Sequence, residues 1–218
     1  MKTALVFGSS GLIGGHLLDE LIQSDNYNKI KLFVRSDYRS IHSKTEIIKT
    51  DFNNLENHKE DVKGDDCFFC IGTTKQNSPD KNEYKRVELD VPKKIAQIAK
   101  SNLVNSFVFV SSGYADPKSS GDYLKFKGLV EEELKRLSFS KLGIMRPSFL
   151  MGDRKEKRVG EKVGIFIFKL LSPLFLGPLK KMKPIHSKKV AKAMIKIANG
   201  DFKQNVFESN EIVEVSNS

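Results

Sequence analysis

Tyr123 and Lys127 stand four residues apart in Asp122-Tyr-Leu-Lys-Phe-Lys127, so on a helix they share one face. A phenol ordinarily keeps its proton to about pH 10, which makes a lone tyrosine a poor proton donor or acceptor near neutrality. A lysine ammonium beside it favours the phenolate and brings proton exchange within reach at neutral pH. Upstream, the apolar run Phe107-Val-Phe-Val110 ends in Ser111-Ser112-Gly113-Tyr114. A serine there, Ser111 or Ser112, would orient a carbonyl oxygen while Tyr123 gives or takes the proton and Lys127 supplies the charge. The same spacing is common on solvated helices, so its meaning depends on the elements that would position it.

The first of those elements is at the start of the chain. Thr3-Ala-Leu-Val-Phe7 reads as a buried strand, and Gly8-Ser9-Ser10-Gly11-Leu12-Ile13-Gly14-Gly15 follows it. A helix then shows in Leu12, Ile13, Leu17, Leu18, Leu21 and Ile22. Gly8 and Gly11 let the backbone turn sharply and approach a phosphate, and Gly14 lets the helix pack on its strand. The helix N-terminus turns amides and a positive dipole end toward a pyrophosphate. The strand before and the helix after predict a dinucleotide-binding loop over residues 8–14.

The next apolar run, Ile30-Lys-Leu-Phe-Val34, ends in Arg35-Ser36 with Arg39 nearby. In such a unit the tip of the second strand meets the adenosine ribose, and an acid there favours NAD. Arg35 and Ser36 instead suit a 2′-phosphate through charge-assisted bonds. The expectation is NADP(H) in preference to NAD(H), with Asp37 keeping NAD(H) open. Asp51 and Phe52, after the third strand, are candidates to meet the adenine. Gly72, Thr73 and Thr74, after the fourth, fall at the carboxyl edge where ligands of open α/β sheets bind. As alternatives, Asp51 caps a helix and Gly72 is a turn residue.

Strand and helix signals alternate along the chain, which predicts an α/β fold with a doubly wound parallel sheet. Expected strands are Glu46–Lys49, Cys67–Ile71, Phe107–Val110, Leu142–Met145 and Asn205–Glu208. Expected helices run over about 54–61, 83–100, 122–136, 163–171 and 188–199. The 218 residues suit one domain, 1–218, with about 146–187 on the substrate side. Cys67 and Cys70 lie three apart on a strand and face opposite sides, so they should not pair. A net charge of +10 without aromatic–basic interleaving or a helix-turn-helix pattern disfavours nucleic acid. Met1-Lys2 leads straight into a strand with no cleavage site, and the expected location is cytoplasmic. The apolar stretch Val163–Leu179, flanked by Lys180, Lys181 and Lys183, suits core or pocket wall better than a membrane surface.

The motifs Gly8-Ser-Ser-Gly-Leu-Ile-Gly14, Cys70-Ile-Gly-Thr-Thr-Lys75, Phe109-Val-Ser-Ser112, Tyr123-Leu-Lys-Phe-Lys127, Met145-Arg-Pro147 and Pro184-Ile-His-Ser187 span nearly the whole chain. Together they resemble an atypical short-chain dehydrogenase/reductase with a single Rossmann domain, in the branch of small NAD(P)-binding oxidoreductases of the Tat-interacting-protein type. The resemblance implies Ser112 as the carbonyl-orienting serine, Tyr123 as proton donor/acceptor and Lys127 as its electrostatic partner. It implies that Arg146, Pro147 and Ser148 pass the nicotinamide amide, and that His186 anchors the following helix. The family's usual catalytic asparagine has no match, since Val87-Glu-Leu-Asp90 stands there, which implies an altered proton relay to solvent.

The leading expectation is an NADP-preferring oxidoreductase of a small carbonyl or alcohol substrate. A regulator that senses NADPH through protein partners is the alternative. A sugar-nucleotide epimerase shares the same motifs, but the stretch after Arg146 is short for its subdomain. No sequence feature fixes the substrate, and a homo-oligomer stays open.

Overall fold

The computed structural model describes residues 1–36, 42–152 and 183–218. In β1 (Lys2–Phe7), Ala4 and Val6 join one core and Leu5 and Phe7 the other, and all four are fully buried. A strand covered by helices on both faces reads this way, as one continuous apolar run. Gly8 turns the chain into α1 (Leu12–Gln23), which folds back over β1 and β2 (Tyr27–Val34). There follow β3 (Thr45–Lys49), a 3₁₀ turn (Leu55–His58), β4 (Asp66–Phe69) and α2 (Lys81–Lys85). A π-helical turn (Arg86–Asp90) leads into α3 (Val91–Ser101) and β5 (Ser106–Val110). The remainder is α4 (Asp122–Leu137), β6 (Lys141–Arg146), β7 (Leu150–Met151), β8 (Ile185–His186), α5 (Ser187–Asn199), β9 (Val206–Glu208) and α6 (Ser209–Asn217).

The main sheet runs β3-β2-β1-β4-β5-β6-β9, with every neighbouring pair parallel. Strand order reverses between β1 and β4, and the crevice beyond the carboxyl ends of those strands is where this architecture binds ligands. One layer, from α1, α5 and Ile212 of α6, packs on Ala4, Val6, Phe68 and Val108. The other, from α3 and α4, packs on Leu5, Phe7, Phe69, Phe107 and Phe109. Cys67 belongs to the second layer and Cys70 packs against the first, so the two thiols are on opposite faces and free, as their spacing predicts. Burial pushes the Cys70 thiol up to about 12.

At the sheet edge away from the crevice, the Tyr27 hydroxyl donates to Asp66 at 2.7 Å. Lys2 donates to Asp66 at 3.0 Å and to Asn199 at 2.9 Å, and Asn199 donates to Tyr27 at 2.8 Å. This cluster joins the first strand to the last residue of α5.

Three expectations need revision. The helix over 54–61 is only the 3₁₀ turn Leu55–His58. The helix over 83–100 is α2, the π turn and α3, beginning at Asp80, whose carboxylate accepts from the Glu83 amide. The C-terminal helix α6 is additional, started by a capping box between Glu208 and Glu211. The helix expected over 163–171, and with it the apolar segment to Leu179, lies outside the described residues.

Candidate cofactor cleft and active site

The crevice is a cleft of about 280 Å³ lined by Gly8, Ser9, Ser10 and Gly11, by Arg35 and Ser36, and by Phe52, Gly72 and Thr73. Gly8 adopts φ +91°, where a side chain is strained, and a Cβ on it would stand 2.9 Å from the Cys70 carbonyl carbon. The loop therefore presses on the end of β4. Its amide and carbonyl groups join helix and strand, Gly11 N–H donating to the Gly8 carbonyl at 3.1 Å and Gly15 N–H to that of Gly11 at 2.8 Å. No side chain caps the start of α1, so first-turn amides are left for another acceptor. The Ser9 hydroxyl is buried with no hydrogen-bond partner among the described residues. A buried donor of that kind calls for an acceptor. Free amides, an unpartnered hydroxyl and a glycine cradle together fit a pyrophosphate.

Arg35 and Ser36 are exposed at the rim, at the end of β2, where a ribose 2′-substituent of such a ligand would come. The Phe52 ring is buried at φ +62°, tilted against Phe7 with centroids 6.4 Å apart. The cleft also includes Phe33, Val34, Cys70, Ile71, Asn77, Ser78, Arg86, Val87 and Val91, none of which was singled out from sequence as a binding residue. Arg86 grips Glu83 through two bonds of 2.6 and 2.8 Å and donates to the Phe52 carbonyl at 3.1 Å. This links the end of β3 to α2 and forms one wall. Val87 and Val91 were legible only as helix positions, because the wall depends on where the π turn sits against β4.

Tyr123 stands in the first turn of α4 and is 39% exposed, so it is open to a substrate. One turn on, Lys127 is 3% exposed. Its ammonium is 6.0 Å from the Tyr123 ring centroid, 4.9 Å from that of Phe109, and donates to the Val110 carbonyl at 3.3 Å. It pairs with the buried Glu88 carboxylate at 3.1 Å. Burial alone would pull Lys127 toward the neutral amine, but the Glu88 carboxylate holds it charged above its ordinary range. The other Glu88 oxygen accepts the Thr73 amide at 2.5 Å. Ser112 is part-buried two residues past β5, its hydroxyl donating to the Gly113 carbonyl at 3.3 Å. Gly128 permits the close packing that fixes the loop: a Cβ there would stand 2.3 Å from the Pro117 nitrogen.

Several sequence candidates are placed elsewhere. Ser111 donates to the buried Glu131 carboxylate at 2.6 Å. Arg146 grips the same carboxylate at 2.6 and 2.9 Å and reaches Glu208 at 3.4 Å. Both side chains are thus committed to an interior charge network rather than to the cleft. Pro147 accepts from the Gly113 amide, and Ser148 is joined to Ser209 and Lys183. The Asp51 carboxylate holds Asn53 by its backbone and side-chain amides, which lower it below the usual carboxylate value. It caps no helix and does not line the cleft. Thr74 closes a turn with Asn77, Ile13 is core, and Leu12 lies beside Gly152. His186 accepts from the Lys188 amide and caps α5.

Known proteins resemble this chain in sequence and in fold. A family model described as NAD(P)H-binding matches residues 8–201. Protein HTATIP2 of Rattus norvegicus is 32% identical over 168 residues, covering 73% of this chain and 67% of that protein. Protein FMP52, mitochondrial, of Eremothecium gossypii is 30% identical over 221 residues, covering 97% of this chain and 96% of that one. Among solved structures, UDP-N-acetylglucosamine 4-epimerase from Methanobrevibacter ruminantium superposes with a TM-score of 0.71 at 20% identity. It covers 98% of this chain and 80% of its own. That likeness is one of fold.

Proposed function

Since the chain belongs to the NAD(P)H-binding family, in an atypical branch like the short-chain dehydrogenases/reductases, we propose that it is an oxidoreductase preferring NADP(H). It would act between a small carbonyl compound and its alcohol. The observation that carries this reading is the Tyr123–Lys127 pair, whose lysine is buried and charged beside a cofactor-type cleft. A protein that only binds the cofactor has no use for a desolvated ammonium one helical turn from an accessible phenol.

The glycine loop, the Ser9 hydroxyl and the first-turn amides of α1 would hold the pyrophosphate, and Arg35 with Ser36 the 2′-phosphate. When bound, the nicotinamide supplies the hydride. Tyr123 holds or releases the proton at the substrate oxygen, Ser112 orients that oxygen, and Lys127 keeps positive charge next to the phenol. The likeness to the epimerase is one of fold and assigns no substrate.

The test is a titration of the purified protein with NADPH and NADH side by side, followed by cofactor fluorescence, then a carbonyl panel. Tight NADPH binding with weaker NADH binding and turnover on the panel is expected. Equal binding removes Arg35 as selector, and binding of neither defeats the reading. NADPH binding without any turnover favours the regulator, which acts through partners that recognise the loaded form.

A further inference from the structure

We propose that Glu88 is a positioning residue of this active site, its one buried carboxylate holding the Lys127 ammonium and the Thr73 amide of the cleft wall at the same time. The inference rests on the reading of Tyr123 and Lys127 as catalytic. Glu88 is 1% exposed, so a full charge there needs partners, and the two it has belong to two different parts of the site. Lys127 serves Tyr123, while Thr73 lines the cofactor cleft together with its neighbour Gly72. A Cβ on Gly72 would stand 3.5 Å from the same carboxylate oxygen. A ligand that presses on the 72–73 backbone therefore presses on the carboxylate that sets the lysine. The π turn Arg86–Asp90 places Glu88 facing α4, while its neighbours Val87 and Arg86 face the cleft.

The charge balance has a consequence for the chemistry. The groups facing Lys127 are Glu88 from the π turn, Tyr123 on its own helix and Cys70 from the end of β4, with the Val110 carbonyl and the Phe109 ring face from β5. Tyr84 of α2 lies beside Glu88, and burial first, then Glu88, pushes its phenol up to about 12. Among the described residues, Glu88 is the one carboxylate in the groups that hold Lys127. The pair is neutral as a unit, so the field that reaches Tyr123 is weaker than that of a lone ammonium. Glu88 thereby sets the pH range over which the site works as well as the place of its lysine.

The test is the pH titration of Lys127 by ¹³C NMR in full-length protein labelled at lysine Cε, with the signal assigned by K127M. In E88Q the titration midpoint falls by about one unit or more, because burial loses its main opposing charge, and E88D restores most of it. Identical midpoints in wild type and E88Q overturn the proposal. Should E88Q fold poorly, the double variant E88Q/K127M removes both charges. A melting temperature for the double above that of either single variant supports the pair, and one below both overturns it. With NADPH and 9,10-phenanthrenequinone as the probe substrate, E88Q shifts the pH–rate profile to lower pH. A loss of rate with an unshifted profile marks a merely structural residue and overturns the proposal. A wild-type protein that binds no NADPH defeats the oxidoreductase reading, yet the NMR titration still decides for or against Glu88.

Discussion

The Gly8 carbonyl oxygen lies 2.0 Å from the point where a Cβ on Gly14 would stand. The obstacle is backbone, already fixed by the Gly11 amide, so it cannot turn aside as a side-chain end would. Gly14→Ala should therefore push α1 off β1, costing about 1–3 kcal/mol and lowering the melting temperature by several degrees. It should also weaken NADPH binding about tenfold or more, since the same displacement moves the first-turn amides. Thermal denaturation and a cofactor titration on one preparation check both effects.

Tyr123→Phe removes one oxygen from a half-exposed side chain and leaves the helix intact. Turnover should fall by about 10²- to 10⁴-fold, while NADPH affinity stays within experimental scatter. Steady-state kinetics beside a binding titration read the two separately. An active Tyr123→Phe variant would remove the catalytic assignment and leave the cleft standing.

Arg35→Ala addresses the cofactor choice. Loss of one charge-assisted bond to a 2′-phosphate is worth about 1.5–3 kcal/mol, so NADPH should bind about tenfold or more weakly. NADH, which lacks that phosphate, should bind as before. Parallel titrations show whether the preference narrows, and an unchanged ratio would place the selectivity elsewhere.

Much of this site was readable before the fold was known, because its signals are local. Gly8, Gly11 and Gly14 follow a strand and open a helix, and Tyr123 and Lys127 need only one helical turn to meet. What was not readable comes from contacts between distant segments. Arg86 reaches Phe52 across 34 positions, and Glu88 meets Lys127 only because a π turn rotates it toward α4. A lone acid between Val87 and Leu89 was the available signal, and it was read only as a missing asparagine. Ser111 and Arg146 sit in motifs that point to the cofactor, but Glu131, seen from sequence only as one acid among several on a long helix, draws both inward. The short helix α6 has a polar, β-branched sequence of weak propensity; its cap and its contact with α5 form it.

Tyr27 gives a prediction for alkaline solution. Burial, then the Asp66 charge, raises its phenol far above the ordinary value. The folded protein thus keeps a proton that the unfolded chain gives up near pH 10. That stability is complete below about pH 10 and is lost as the pH rises further. Urea unfolding from about pH 8 to about pH 11 should show wild-type stability falling more steeply than that of Tyr27→Phe at the alkaline end. The variant itself should be less stable by about 1–3 kcal/mol at neutral pH, because Asp66 and Asn199 lose their shared partner.

The packing of α5 on α1 has a bearing on how the chain acquires its structure during synthesis. Val190, Ala191, Ala193, Met194 and Ile197 cover the same apolar layer that α1, β1 and β2 expose. The Lys2–Asn199 bond joins positions 197 apart. The dinucleotide loop leaves the ribosome long before Asn199, yet its helix has no complete shelter until that residue has followed. Such distant pairing makes for slow, late closure, so α1, β1 and β2 complete their apolar layer only once α5 has been made.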